Sequence, residues 1–175
     1  MEHEMIDLLD ESGNKIGVVD KAVAHKEGLW HRSVHVWIAN EKREVLLQHR
    51  CKAKTFFPNC WDCAFAGHVG AGEDSLESAI REGEEEIGIK FKKKDLEFLF
   101  SFKDKLVWED KRSNEFVDVY LIRKNLNIDN VRLQSDEVDD IKWMKFDDFM
   151  TLVEKKYNQL LLHDNEEYIR LKNII

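Results

Sequence analysis

Apolar positions change their period several times along the chain, and each change marks an element. Residues 5–9 and 15–19 flank Glu11-Ser12-Gly13-Asn14, a turn composition, so an N-terminal β-hairpin is expected. Residues 21–26 read as a short helix. Over residues 31–40, Val34, Val36 and Ile38 alternate with His35, Trp37 and Ala39, the pattern of a strand covered on both faces. Residues 41–43 turn the chain back, and residues 44–49 are expected to pair with that strand. Residues 51–59, which hold the only proline, read as a loop. Residues 96–108 and 114–122, rich in Phe, Val and Leu, predict two long antiparallel strands joined by an exposed turn at 109–113. A strand at 142–146 and helices at 147–156 and 166–175 complete the pattern. Strands around a central helix, followed by C-terminal helices, predict an α/β fold with a mixed sheet sandwiched by helices.

The central helix lies in residues 67–89, GHVGAGEDSLESAIREGEEEIGI. Gly67, Gly70 and Gly72 form a loop, Asp74 or Ser75 caps the helix, and Leu76, Ile80, Gly83 and Ile87 make one buried stripe over residues 75–87. Gly88 stands where a left-handed C-cap belongs. Glu82, Glu85 and Glu86, spaced i, i+3 and i+4, bring three carboxylates within about 5–6 Å of one another. Such a cluster is either a solvated face or a cation site, and all-oxygen donors favour Mg²⁺, Mn²⁺ or Ca²⁺ over zinc.

Composition narrows the function classes. The 175 residues suit one domain, residues 1–175, and carry a net charge of −8 with 35% charged residues. No basic run points to a nucleic-acid polymer or a membrane surface. Acidic residues in 1–10 do not make a signal peptide, and no run approaches the roughly 18 apolar residues of a membrane span, so a cytoplasmic location is expected. Cys51, Cys60 and Cys63 are odd in number and read as ordinary buried thiols, although Cys60-Trp61-Asp62-Cys63 is a CxxC. His35, in an apolar strand, is expected to be a hydrogen-bonded core imidazole. His3 and His163 suggest no role.

Residues 67–89 resemble the Nudix box, G-x5-E-x7-R-E-U-x-E-E-x-G-U with U aliphatic. Gly67, Glu73, Arg81, Glu82, Glu85, Glu86, Gly88 and Ile89 match it, and Gly83 departs from it at the first U. The resemblance implies the Nudix α/β/α sandwich, here with the N-terminal hairpin added. It also implies a pyrophosphohydrolase acting on a nucleoside diphosphate linked to another moiety. Glu82, Glu85, Glu86 and the Gly67 carbonyl would hold Mg²⁺ or Mn²⁺, Arg81 would pair with Glu73, and a box glutamate or Glu115 would accept a proton. Gly83 predicts either close packing against the sheet or a small void.

A second, more local resemblance covers residues 7–122 and is to the Nudix branch of isopentenyl diphosphate isomerase. Asp20-Lys21, His25, Gly28-Leu29-Trp30-His31-Arg32, Gln48-His49-Arg50, Lys54, Pro58, Trp61 and Gly67-His68 carry it. His25, His31, His68 and Glu115 match metal positions there, and Lys21, Arg50 and Lys54 match diphosphate-holding positions. Ala66 and Ser113 replace an essential cysteine and a glutamate, and a methyl group cannot transfer a proton. Glu82 also stands where those isomerases generally carry arginine. Cys63, three residues before Ala66, is expected on the opposite strand face and therefore cannot substitute. Trp30 and Phe57 are candidates to stack on a substrate plane. The expectation is a hydrolase of a small-molecule diphosphate, monomeric or homodimeric, with the isomerase and a non-catalytic nucleotide-binding module as alternatives.

Overall fold

The computed structural model describes residues 4–175; Met1 to His3, part of the acidic start and including His3, lie outside the described residues. The expected hairpin is present as β1 (Met5–Leu9) and β2 (Lys15–Asp20), antiparallel, with Asp10 accepting backbone N–H bonds from Ser12 and Asn14 in the turn. α1 (Lys21–Glu27) follows, capped by the Asp20 side chain and ended by Gly28 at φ 64°.

The seven-stranded mixed sheet is built from β3 (Trp30–Ala39), β4 (Glu44–Arg50), β5 (Trp61–Asp62), β6 (Phe65–His68), β7 (Glu97–Trp108), β8 (Lys111–Arg123) and β9 (Val138–Lys145). β3 runs parallel to β8 along its whole length, and β7 pairs antiparallel with β8. α2 (Ser75–Ile87) covers one face, while α3 (Phe146–Glu154) and α4 (Asn165–Leu171) cover the other. The alternation in β3 sorts accordingly: Val34, Val36 and Ile38 join the α2-side core, and Trp37 and Ala39 join the α3/α4-side core. No helix of the described residues is long and apolar enough to cross a membrane.

Three expectations need correction. β4 pairs with β3 only at Ala39 and Val45; over its length it pairs with β9, and at Gln48 and His49 with β5. β3 instead takes β6 as its partner over Ser33–Val36, so β3 and β4 splay apart beyond the turn. The exposed turn after β7 is only Glu109-Asp110, because Lys111 to Ser113 continue β8 and Ser113 is fully buried. On α2 the buried side is Ala79, Glu82, Gly83, Glu86 and Ile87, with Leu76 and Ile80 only half-buried. The helix is thus rolled so that two of its carboxylates are buried along with Gly83 and Ile87, while Leu76 and Ile80 pack against the core from its margin.

That roll has local causes. Gly67 on β6 has no side chain, and a Cβ there would collide with the Glu82 carboxyl. A Cβ on Gly83 would lie 3.0 Å from the rings of Phe65 and Phe91, so the glycine marks close packing against the sheet side chains and not a void. Asp74 caps α2 by accepting the Leu76 N–H, and Gly88 closes it at φ 68°. The loop before α2 is fastened to the hairpin, since Ala71 N–H donates to the Met5 carbonyl and Gly72 N–H to Asp7.

Candidate active site

A cavity of about 380 Å³ opens where β3 and β4 separate, and it gathers most of the residues singled out from the sequence. Gly67, Arg81, Glu82, Glu85 and Glu86 form one side. Lys21, Arg50 and Lys54 reach it from α1, the end of β4 and the 51–59 loop. His25, His68 and Glu115 line the far end, with Ala66 and Phe56 between.

On the box side, acid outweighs base. Arg81 donates to Glu82 at 2.8 Å, to Glu85 at 3.1 Å and to the His68 carbonyl at 3.1 Å. Its expected partner Glu73 is its longest contact, at 3.5 Å. Glu73 chiefly closes the loop, accepting from Ser78 Oγ at 2.7 Å and from Gly70 N–H at 3.2 Å. Burial, then the neighbouring Glu86, pushes the Glu82 carboxyl up to about 8. Burial likewise lifts Glu86 to about 7, against the opposing pull of Lys54 and Arg50. Glu86 Oε2 is buried and has no hydrogen-bond partner among the described residues. Two buried, under-compensated carboxylates with one orphaned oxygen fit a hard divalent cation such as Mg²⁺ or Mn²⁺.

The cations across the cavity are engaged by carboxylates of their own. Lys54 pairs with Glu137 and Lys21 with Glu4, and burial followed by Arg50 lowers the Lys54 pKa. Neither acid was singled out by the sequence, since each lies in an irregular segment without a motif.

At the far end, His25, His31, His68 and Glu115 come together, their ligand atoms within 4.8 Å of one another. His31 donates Nδ1–H to the Leu29 carbonyl at 2.9 Å and turns Nε2 toward Glu115 at 3.8 Å. Burial, then His31, holds His25 down to about 4 and His68 well below the usual imidazole range. Burial opposes the Glu115 charge, yet His31 and the hydroxyls of Ser113 and Ser33 hold its pKa below the carboxylate range. Ser113 and Ser33 each donate to one of its oxygens. Ser113 thus supports Glu115 where the isomerase pattern has an acid.

The aromatic expectations fare unevenly. Trp30 packs on Phe116 at 5.0 Å with Lys103 over its ring, and it is not among the residues that line the cavity. Phe57 packs between Phe56 and Trp108, and it is Phe56 that lines the cavity, 5.5 Å from His25. All three cysteines are free and buried. Cys63 does not lie across the sheet from Ala66: a bend at Cys63-Ala64 breaks the alternation, and both residues pack against the same core. Its thiol donates to the Phe65 carbonyl and is pushed well up by burial, and Ala66, not Cys63, lines the cavity.

The cavity wall also carries a polar set of which sequence reading foresaw only His35. His163 sits between Asp104 and Asp62, and His35, as expected, is a hydrogen-bonded core imidazole, held by Glu167 at 3.1 Å. The one available signal was Asp62 itself, an acid inside the apolar run 60–66.

A mixed sheet between helices, with a carboxylate-bearing helix set against a glycine of the sheet at a polar cavity, is the Nudix arrangement. A family model described as the NUDIX domain matches residues 29–163, and the chain belongs to that family. It is 38% identical to Nudix hydrolase 3 of Arabidopsis thaliana over 182 residues, covering 100% of this chain but 24% of that protein. The chain thus spans about a quarter of that relative's length. It is 32% identical over 108 residues to isopentenyl-diphosphate Delta-isomerase 1 of Photorhabdus laumondii, covering 61% of each chain. In fold it is similar to a crystal structure from Deinococcus radiodurans, with TM-score 0.71 and 19% identity over 97% of this chain and 98% of that one.

Proposed function

We propose that the chain is a divalent-metal-dependent hydrolase that cleaves the diphosphate bond of a nucleoside diphosphate linked to another moiety, or of a related small molecule. The observation that carries this reading is the pair Glu82 and Glu86, buried, insufficiently compensated and facing Arg50 and Lys54 across one cavity. Glu82, Glu85, Glu86 and the Gly67 carbonyl would hold Mg²⁺ or Mn²⁺, which supplies charge neutralisation and a more acidic attacking water. Lys21, Arg50 and Lys54 bind and orient the phosphate oxygens, with Arg50 suited to bidentate contact. Arg81 holds Glu82 and Glu85 in place. A box glutamate accepts the proton from water. Glu115 is a poor acceptor, because both its oxygens already receive hydroxyl protons and its pKa is depressed.

The assembled cluster of His25, His31, His68 and Glu115 favours isomerase chemistry as a second reading. Ala66 weighs against it, placing a methyl group on the cavity wall where that chemistry needs a proton donor. The non-catalytic module loses its one support, since Gly83 is accounted for by the Phe65 and Phe91 rings.

The test is a Mg²⁺/Mn²⁺ screen of nucleoside diphosphate conjugates, dinucleoside polyphosphates, coenzyme A and prenyl diphosphates. Glu86→Gln should lower turnover of any accepted substrate by at least about 10²-fold with folding intact. Unchanged turnover would remove the box from the mechanism. Allylic rearrangement of isopentenyl diphosphate without phosphate release would instead establish the isomerase.

A further inference from the structure

A chain of paired charges runs from Asp104 through His163 and Asp62 to Arg50, and of these only Arg50 has a part in the hydrolytic scheme. His163 is buried, and both its ring nitrogens face carboxylates: Nδ1 lies 2.7 Å from Asp104 Oδ2 and Nε2 lies 3.1 Å from Asp62 Oδ1. An ionised carboxylate only accepts hydrogen bonds, so both nitrogens carry protons and the ring is an imidazolium. Asp104 Oδ1 accepts the backbone N–H groups of Lys105 at 3.0 Å and Asp164 at 3.1 Å. Asp62 Oδ1 also accepts the Cys63 N–H at 2.8 Å.

Beyond Asp62 stands Arg50, whose Nη1 is 3.6 Å from Asp62 Oδ2. Arg50 Nε donates to the Phe57 carbonyl at 3.0 Å and Nη2 to the Phe56 carbonyl at 2.9 Å. Those two bonds hold the 51–59 loop, which carries Lys54. A guanidinium has five N–H groups; two go to these carbonyls and Nη1 faces Asp62, which leaves N–H groups with no hydrogen-bond partner among the described residues for an anion in the cavity that Arg50, Lys54, Asp62 and His163 all line. The four charged side chains that alternate in sign, Asp104, His163, Asp62 and Arg50, come from β7, the segment before α4, β5 and β4. A buried chain of this kind gives little net stability, because desolvation offsets attraction, but it fixes geometry.

We propose that His163 and Asp62 are positioning residues for diphosphate binding. Backed by Asp104, they fix the Arg50 guanidinium and, through it, the loop that carries Lys54. The ligand class rests on the hydrolase reading, whereas the positioning role is read out by binding and needs no turnover.

The probe is methylene diphosphonate, which cannot be hydrolysed, titrated with Mg²⁺ into the full chain by calorimetry. Wild type is compared with His163→Gln, with the double variant Asp62→Asn/His163→Gln, and with Ile122→Ala as a core control for lost stability. The double variant leaves no lone acid at position 62, so it should resist urea better than His163→Gln and carries the test if the single variant fails to fold. Both are expected to bind the probe at least about 10-fold more weakly than wild type, the scale of lost supporting hydrogen bonds around a site. Ile122→Ala should bind as wild type does. The double variant binding at wild-type affinity, or Ile122→Ala weakening equally, would overturn the positioning role. Wild type that does not bind the probe would overturn the diphosphate reading beneath it.

Discussion

Acids that line the same cavity are comparably buried and yet are driven in opposite directions. Glu82 and Glu86 on the box helix are held up, at about 8 and about 7. Asp62 and Glu115 are held below the usual carboxylate range although burial opposes their charge too. The difference lies in partners. Asp62 has His163, Arg50 and the Cys63 N–H; Glu115 has two serine hydroxyls and His31. Glu82 shares Arg81 with Glu85 and Glu73, and one Glu86 oxygen has no partner among the described residues. A buried acid with its donors in place completes a structure, whereas one without them is poised for a cation.

The sharpest way to break this comparison is to open the completed side. Asp104→Ala leaves the buried His163 imidazolium without one of its two carboxylates, and it should cost about 3–5 kcal/mol in urea unfolding. A cost below about 1 kcal/mol would mean that the network is not complete in the sense argued.

The incomplete side should respond in the opposite way. The folded-state pKa of Glu86, about 7, lies above its ordinary 4.5. Its favourable contribution is therefore present below about pH 4.5 and is lost as pH rises through 7. In chelated protein at pH 8, Glu86→Gln should raise stability by about 3 kcal/mol, and the gain should vanish near pH 4. Added Mg²⁺ should stabilise wild type and close the gap to the variant. Chemical denaturation across that pH range checks both statements, and a destabilised variant at pH 8 would contradict the comparison.

The smallest effect concerns the seat of the box helix. Gly83→Ala gains about 0.8–1 kcal/mol of helix propensity but pushes a methyl group to 3.0 Å from Phe65 and Phe91, an overpacking cost of about 1–3 kcal/mol. A net loss of about 1 kcal/mol in thermal melts is expected. A stabilised variant would show that the helix can move away from the sheet freely.

Much of the scaffold was legible because it is local. The hairpin, α1, the long strands and the capped helix 75–87 follow from turn composition, period and capping residues over short spans. The pairing of β4 was not, because adjacency after a short turn favours β3, and only the distant β9 could show the alternative. Ser113 was misplaced for a related reason: a polar residue in a charged run reads as exposed until a buried glutamate claims its hydroxyl. Trp30 shows the limit of reading aromatics, since a ring beside a glycine-containing loop is equally suited to a surface stack on Phe116.

The sequence by itself determined the box: its helix, its caps and the spacing that puts Glu82, Glu85 and Glu86 together, because these depend on positions only a turn or two apart. Tertiary structure alone decided which of those carboxylates are buried, that Lys54 and Arg50 face them, and that His163 completes Asp62. Charge and burial at a site are set by neighbours tens of residues away. His163 and Asp62 are 101 positions apart in the chain, and no local pattern records that they meet.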